Sequence, residues 1–87
     1  MTVDDNHLYD KVPGVEVNEV ADGLVVFDPG AQQVHYLNST ASVVYELCDG
    51  HSSISDLVAG ALELFPAGSP EIFVECLDDL AQRGLIR

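Results

Sequence analysis

The chain has 87 residues, which is the size of one small domain. Fifteen acidic residues stand against three basic ones, so the formal net charge is -12. This charge excludes nucleic acid and disfavours anionic membranes as partners, because phosphate groups are bound by Lys and Arg. A basic or neutral partner is favoured, although a solvated acidic surface explains most of the charges.

The N-terminal region is predicted to be a flexible arm. Residues 1–13 are polar and acidic, and Pro13-Gly14 separates them from a domain that spans residues 14–87. The opening stretch MTVDDNHLYDK lacks the basic and then apolar pattern of a signal peptide. No apolar run reaches the length of a membrane span, about 18 residues. We therefore expect a cytoplasmic protein.

Three runs with strand character follow. VEVNEV at 15–20 alternates apolar and polar residues, which predicts a half-buried strand. LVVFD at 24–28 is continuously apolar and predicts a central strand that is covered on both faces. QVHYL at 33–37 predicts the third strand. Turn signals at Asp22-Gly23 and Pro29-Gly30 join the runs into an antiparallel meander, which leaves open edges.

Three helices are predicted after the strands, and each has a recognisable start. Asn38 is a good N-cap for the first helix. Ser53 and Asp56 are spaced as a capping box for the second, with Asp in place of the usual Glu. Ser69 is the expected cap of the third helix, and Pro70 suits its first position.

Strands followed by helices packed to one side predict an α+β fold. The arrangement is winged helix-turn-helix-like, a three-stranded antiparallel sheet followed by three helices. We expect Leu85 and Ile86 to fold back onto the core as a short extended piece. Such a fold ordinarily suggests DNA, read by the third helix. Here the exposed positions of that helix include Glu71, Glu75 and Asp78. Their charges would repel phosphates, so DNA binding is rejected.

Residues that could carry catalysis or bind a metal are scattered along the chain. His7, His35 and His51 lie far apart and form no HxxxH or HExxH pair. Cys48 and Cys76 lie on apolar faces of predicted helices, which favours buried free thiols, although the sequence leaves a disulfide open. We therefore expect no metal, no cofactor and no enzyme activity. A small enzyme remains the least favoured hypothesis.

The third predicted strand, residues 33–37, is the last of the meander. If it lies at the sheet edge, its unpaired backbone groups can accept an extended peptide as a further strand. The third helix would form the other wall of the cleft. Its acidic positions Glu71, Glu75 and Asp78 would favour a peptide with Lys or Arg. The alternative, an edge covered by the N-terminal arm, is equally compatible with these residues.

One segment resembles a known family. HYLNSTASVVYELCDGHSSISDLVAGAL is similar to the hallmark of the PQQ-biosynthesis protein D family, with Leu37-Asn38, Thr40-Ala41, Leu47 and Asp49-Gly50 in the family's order and spacing. An apolar helix that closes with Gly84-Leu85-Ile86 also fits. The resemblance covers residues 14–87, nearly the whole chain.

Members of this family are recognition elements for precursors of ribosomally synthesised, post-translationally modified peptides. The resemblance implies that a leader peptide binds beside the third strand, in a cleft against the third helix. Leu37, Phe73 and Cys76 could instead serve the core alone. The contact candidates that it implies are Gln33, Val34, His35, Tyr36 and Leu37 on the strand and Ile72, Phe73, Glu75, Cys76 and Asp79 on the helix.

The resemblance also bears on the partner enzymes. LVVFDPGAQQVHYLN is more similar to the stand-alone recognition proteins of lasso-peptide pathways, where a leader peptidase and a cyclase share the bound precursor. A similar module serves radical-SAM peptide-modifying enzymes of the PQQ and mycofactocin type. The expected function is non-catalytic leader-peptide binding, of the lasso type first. The alternatives are the radical-SAM type and an adaptor winged-helix domain that binds a folded protein.

Overall fold

The computed structural model describes residues 7–87 as a small sheet followed by three helices. The strands are β1 (Glu16–Val20), β2 (Gly23–Asp28) and β3 (Gln33–Asn38), in the antiparallel order β1-β2-β3. The helices are α1 (Ser39–Leu47), α2 (Ile54–Leu64) and α3 (Pro70–Gln82). This confirms the predicted α+β class. Of the predicted flexible arm, residues 1–6 lie outside the described residues.

Only one face of the sheet is covered by helices. On that face Leu24 lies opposite Leu37 and is buried with it and with Val26. Val25 and Phe27 on the other face of β2 are only half-buried. The expectation that β2 is covered on both faces is therefore wrong, because the described chain supplies a helical layer to one side alone.

The strand β1 is more exposed than predicted. All five of its residues are exposed, although the alternation of VEVNEV predicts a half-buried strand. Its backbone contacts are with β2, and no helix of the described chain packs against it. The hairpin loop is the residue pair Ala21-Asp22. Gly23 follows it because a Cβ there would overlap the Leu37 carbonyl of β3.

The predicted helix starts are largely confirmed. The Asn38 side chain accepts a hydrogen bond from the Ala41 backbone N–H at 2.9 Å. Ser53 and Asp56 form both hydrogen bonds of the capping box, at 3.2 and 3.3 Å. Ser69 differs from its expectation, since its side chain makes no capping hydrogen bond and α3 begins directly with Pro70.

The core lies between the covered face of the sheet and the three helices. Its largest fully buried side chains include Tyr45, Phe73, Leu37 and Leu80. Leu85 is buried with them, and Ile86 is almost as deeply buried, as predicted. Both cysteines are free thiols; Cys48 is buried and Cys76 is half-buried.

The N-terminal segment is paired with the C-terminal residues. Asp10 and Arg87 exchange two backbone hydrogen bonds of 2.9 Å, and the Val12 N–H donates to the Leu85 carbonyl at 3.0 Å. The Gly50 N–H donates to the Tyr9 carbonyl at 2.9 Å. This part of the segment is therefore not the loose arm that its composition predicts. Burial of the last apolar residues brings their backbone groups out of water, and those groups need partners.

Lys11 ties the same segment to α1. Its Nζ donates to the carbonyls of Glu46 at 2.9 Å and of Cys48 at 2.7 Å, and it lies 5.7 Å from the ring centroid of Tyr45. A cation is favoured at the C-terminus of a helix, where carbonyls lack intrahelical partners. Lys11 thus stabilises one end of α1.

Candidate functional site

The strand β3 is an edge strand that faces α3 across a gap. Within residues 7–87 it pairs with β2 alone. No Cα atom of β3 lies within 8 Å of a Cα atom of α3. The backbones of β3 and α3 are therefore not packed directly against each other.

A cleft of about 410 Å³ occupies this gap. Its strand side is formed by the end of β3 and the start of α1, and its other side by one face of α3. Ile72 is an exposed apolar side chain on the helical side. Tyr36 also lines the cleft, but its side chain lies on the uncovered face of the sheet, where the hydroxyl donates to the Asp22 carbonyl at 3.5 Å. The lining residues are Tyr36, Leu37, Asn38 and Ala41 on the first side and Ile72, Glu75, Cys76, Asp79 and Arg83 on the second.

One hydrogen bond reveals which backbone groups of β3 point into the cleft. Arg83 of the cleft wall donates from Nη1 to the Tyr36 carbonyl at 3.4 Å. In an antiparallel strand the N–H and C=O of one residue point the same way, and successive residues alternate. Tyr36 and Val34 therefore turn their backbone groups to the open edge, whereas His35 and Leu37 turn theirs to β2.

The helical wall of the cleft is acidic. Glu75 and Asp79 both line it, and Asp79 Oδ2 lies 3.0 Å from Arg83 Nε in the salt bridge of this wall. Burial, followed by the charges of Asp79 and Glu75, raises the pKa of the Cys76 thiol. The thiol is therefore neutral at physiological pH, and the wall combines apolar surface with negative charge.

The predicted contact residues divide into two groups. Six of them line the cleft, and Leu37 does so although its side chain is 1% exposed, since it belongs to the core face of the sheet. Gln33, Val34 and His35 lie farther along β3, outside the lined volume. The six that are brought together are Tyr36, Leu37, Ile72, Glu75, Cys76 and Asp79.

Phe73 and His35 do not line the cleft. Phe73 is buried in the core. His35 lies opposite Val26 on the helix-facing side of the sheet, and its Nε2 atom is buried with no hydrogen-bond partner among the described residues. Neither side chain lines the cleft, and the backbone groups of His35 point to β2.

Three lining residues were not predicted from the sequence: Asn38, Ala41 and Arg83. Arg83 follows Asp79 by four positions, a spacing that indicates a helical salt bridge. Its reach to the Tyr36 carbonyl depends on how α3 is placed against β3, which sequence spacing does not reveal. Asn38 was predicted as the N-cap of α1 and Ala41 as part of the family motif, and both line the cleft in addition.

Within residues 7–87, no group of three or more His, Cys, Asp or Glu side chains is arranged to hold a metal ion. In the same part of the chain, no helix has the length and apolar character that a membrane crossing requires.

Comparison with known proteins gives one family and one fold. The sequence pattern of the family described as coenzyme PQQ synthesis protein D (PqqD) matches residues 23–86. The solved structure "TbiB1 in Complex with the TbiA(beta) Leader Peptide" is similar with a TM-score of 0.71 and 15% sequence identity, over 90% of this chain and 94% of that chain. At this identity the likeness shows a shared fold. No curated protein matches the chain.

Proposed function

This chain belongs to the coenzyme PQQ synthesis protein D family, and from that premise we propose that it is a non-catalytic module that binds the leader segment of a ribosomally made precursor peptide. The observation that carries the proposal is the open edge of β3, which faces α3 across a cleft. The similar TbiB1 structure contains a leader peptide, which supports the same kind of ligand here.

The cleft suits an extended peptide for physical reasons. The outward N–H and C=O groups of Val34 and Tyr36 offer main-chain hydrogen bonds to an added strand, and such bonds give affinity without regard to side chains. Selectivity then comes from the walls. Tyr36 and Ile72 offer apolar surface, and Glu75 favours a Lys or Arg side chain on the peptide.

Binding alone is enough for the proposed role. A module that holds the leader raises the effective concentration of the attached core peptide near an enzyme docked on the same complex. We propose the lasso-type enzymes, a leader peptidase and a cyclase acting in the cytoplasm, because residues 24–38 resemble the stand-alone recognition proteins of those pathways. Co-purification with a radical-SAM enzyme, and not with a peptidase, would redirect the proposal to the other pathway type.

A titration tests the proposal directly. The protein is titrated into a fluorescently labelled synthetic leader of the precursor peptide encoded beside it. We expect saturable binding with a Kd below about 100 μM, which corresponds to roughly -5.5 kcal/mol. A leader with the same composition in scrambled order is the control. Equal binding of the two peptides, or none of either, would refute leader recognition.

Cys76 supplies a second readout, because it lines the cleft and is half-buried. Cys48 does not compete in this assay: burial raises its pKa to about 11, and its Sγ donates to the Val44 carbonyl at 3.2 Å. We expect the leader to slow alkylation of Cys76 at mildly alkaline pH, measured by mass spectrometry. The variant Cys76→Ser should take up no label in the folded state. Unchanged labelling at saturating leader would place the peptide elsewhere.

A further inference from the structure

Apart from Leu8, the large exposed apolar side chains of the described chain form two groups, one near β3 and one near β1. In the first group, Tyr36 and Ile72 line the β3–α3 cleft and Val34 lies farther along β3. The other group consists of Val17, Val20 and Leu64, and all three line a second cleft of about 720 Å³ between β1 and α1. This second cleft is the larger of the two and has no role in the function proposed above.

The second cleft is open because no described helix covers β1. Its apolar floor includes Val43 and Leu47 of α1, and Leu64 projects from the end of α2 with 61% of its surface exposed. Glu19, Asp22 and Glu46 also line it, and the lining contains no Lys or Arg. An occupant that combines apolar side chains with Lys or Arg is therefore favoured.

The two clefts adjoin a common pocket. A smaller pocket of about 350 Å³ lies between them, beside Thr40 in the first turn of α1 and the residues that join α2 to α3. Leu64 lines both this pocket and the second cleft, and Ile72 lines both this pocket and the β3–α3 cleft. The three volumes thus adjoin one another at Ile72 and Leu64, along a path from β3 to β1.

We infer that the binding site for the precursor peptide extends along this path. One part of the peptide would pair with β3 as an added strand. The adjoining residues of the peptide would pass over Ile72 and Leu64 and place apolar and basic side chains in the second cleft. This inference rests on the proposed function. It assigns the second cleft to the same ligand because the two clefts share lining residues with the pocket between them.

The dimensions of the protein indicate the length that this extension needs. The longest dimension of the described chain is 31 Å, which an extended peptide spans in about nine residues. An extension of this order is therefore enough to reach the second cleft from β3. It is long enough to bury one or two apolar side chains in the second cleft.

A nested set of synthetic peptides tests the inference. The probes are the segment of the precursor that pairs with β3 and the same segment lengthened in steps at either end, each titrated by calorimetry. We expect lengthening at one end to tighten binding about tenfold, the effect of burying one apolar side chain. In Leu64→Gln this gain should be lost, while the short segment binds as it does to the wild type.

The control is Leu8→Gln, since Leu8 is also exposed but lines none of the three clefts. It should bind every peptide as the wild type does. Equal affinity of the long peptide for Leu64→Gln and the wild type would overturn the extended site and leave the proposed function intact. Failure of all peptides to bind the wild type would overturn both.

Discussion

Backbone hydrogen-bonding groups are paired on one side of this domain and left open on another. On one side residues 10–12 pair with Leu85 and Arg87, so that the ends of the described chain satisfy each other. On the other side β3 keeps its outer backbone groups open, apart from one hydrogen bond from Arg83 to Tyr36. Residues 9–12 could in principle have paired with β3, and their backbone pairs instead with Gly50 and with residues 85–87.

The difference teaches how a small domain keeps a binding edge available. Leu85 and Ile86 are buried on the closed side, so the pairing there also contributes to the core. The open side contributes Leu37 to the core through one face of β3 while leaving the edge of the strand free. The closed side therefore contributes mainly to stability and the open side to peptide binding. Substitutions on one side should change one of these properties and leave the other unchanged.

The largest expected effect is on the closed side. Replacing Leu85 with Ala removes a fully buried side chain and leaves a cavity, which should lower the free energy of unfolding by about 2 to 4 kcal/mol. Urea denaturation measures the change. Leu8→Ala is the control, because Leu8 is exposed. This substitution should lower the free energy of unfolding by less than about 0.5 kcal/mol. Equal losses in the two variants would mean that the C-terminal pairing does not support the core.

The second effect is on the open side. Val34→Pro removes an outward N–H of β3 and places a ring where the peptide would lie, so affinity should fall about thirtyfold, roughly 2 kcal/mol. Folding should survive, because proline is tolerated at an outward position of an edge strand. A titration with the short leader segment measures the loss, and circular dichroism checks the fold.

The matched control for this variant is Glu19→Pro. By the same alternation across the sheet, Glu19 turns its backbone groups to the open side of β1. The short segment should bind this variant as it binds the wild type. Loss of binding in Glu19→Pro, with Val34→Pro unaffected, would move the added strand to the other edge of the sheet.

A third prediction concerns Lys11, the side chain that joins the closed side to α1. Lys11→Met keeps the apolar stem and removes both hydrogen bonds to the carbonyls of Glu46 and Cys48. The free energy of unfolding should fall by about 1 to 2 kcal/mol, and the affinity for the leader should not change. Thermal denaturation and titration measure the two quantities. A variant with full stability but weakened binding would contradict the separation of the two sides.

Much of the fold could be predicted because its signals are local. The caps at Asn38 and Ser53 and the proline at the start of α3 each depend on a few neighbouring residues. The pairing of Asp10 with Arg87 could not be predicted in this way, since the two residues are far apart in sequence and neither is apolar. The exposure of β1 was missed for a related reason: its alternation predicts a burial that no helix provides.

The candidate site was predictable only in outline. Its location between the third strand and the third helix follows from the family resemblance, and Ile72, Glu75 and Asp79 fall on the cleft side of α3. Phe73 shares the helix but is buried, because the orientation of α3 is set by its packing against α1 and α2. Arg83 was missed as a lining residue, since its partner Tyr36 lies 47 positions away.

The smallest expected effect comes from Arg83 itself. Arg83 Nη1 donates to the Tyr36 carbonyl at 3.4 Å, and an added strand would use the same carbonyl. Because this hydrogen bond is long and exposed, it contributes little free energy. In Arg83→Gln the peptide no longer displaces a guanidinium, and affinity should rise about twofold. Arg87→Gln removes the same charge from the exposed C-terminal residue and should change nothing. If Arg83→Gln instead weakens binding tenfold, Arg83 contacts the peptide directly. Arg83 would then contribute to affinity and no longer compete for the edge.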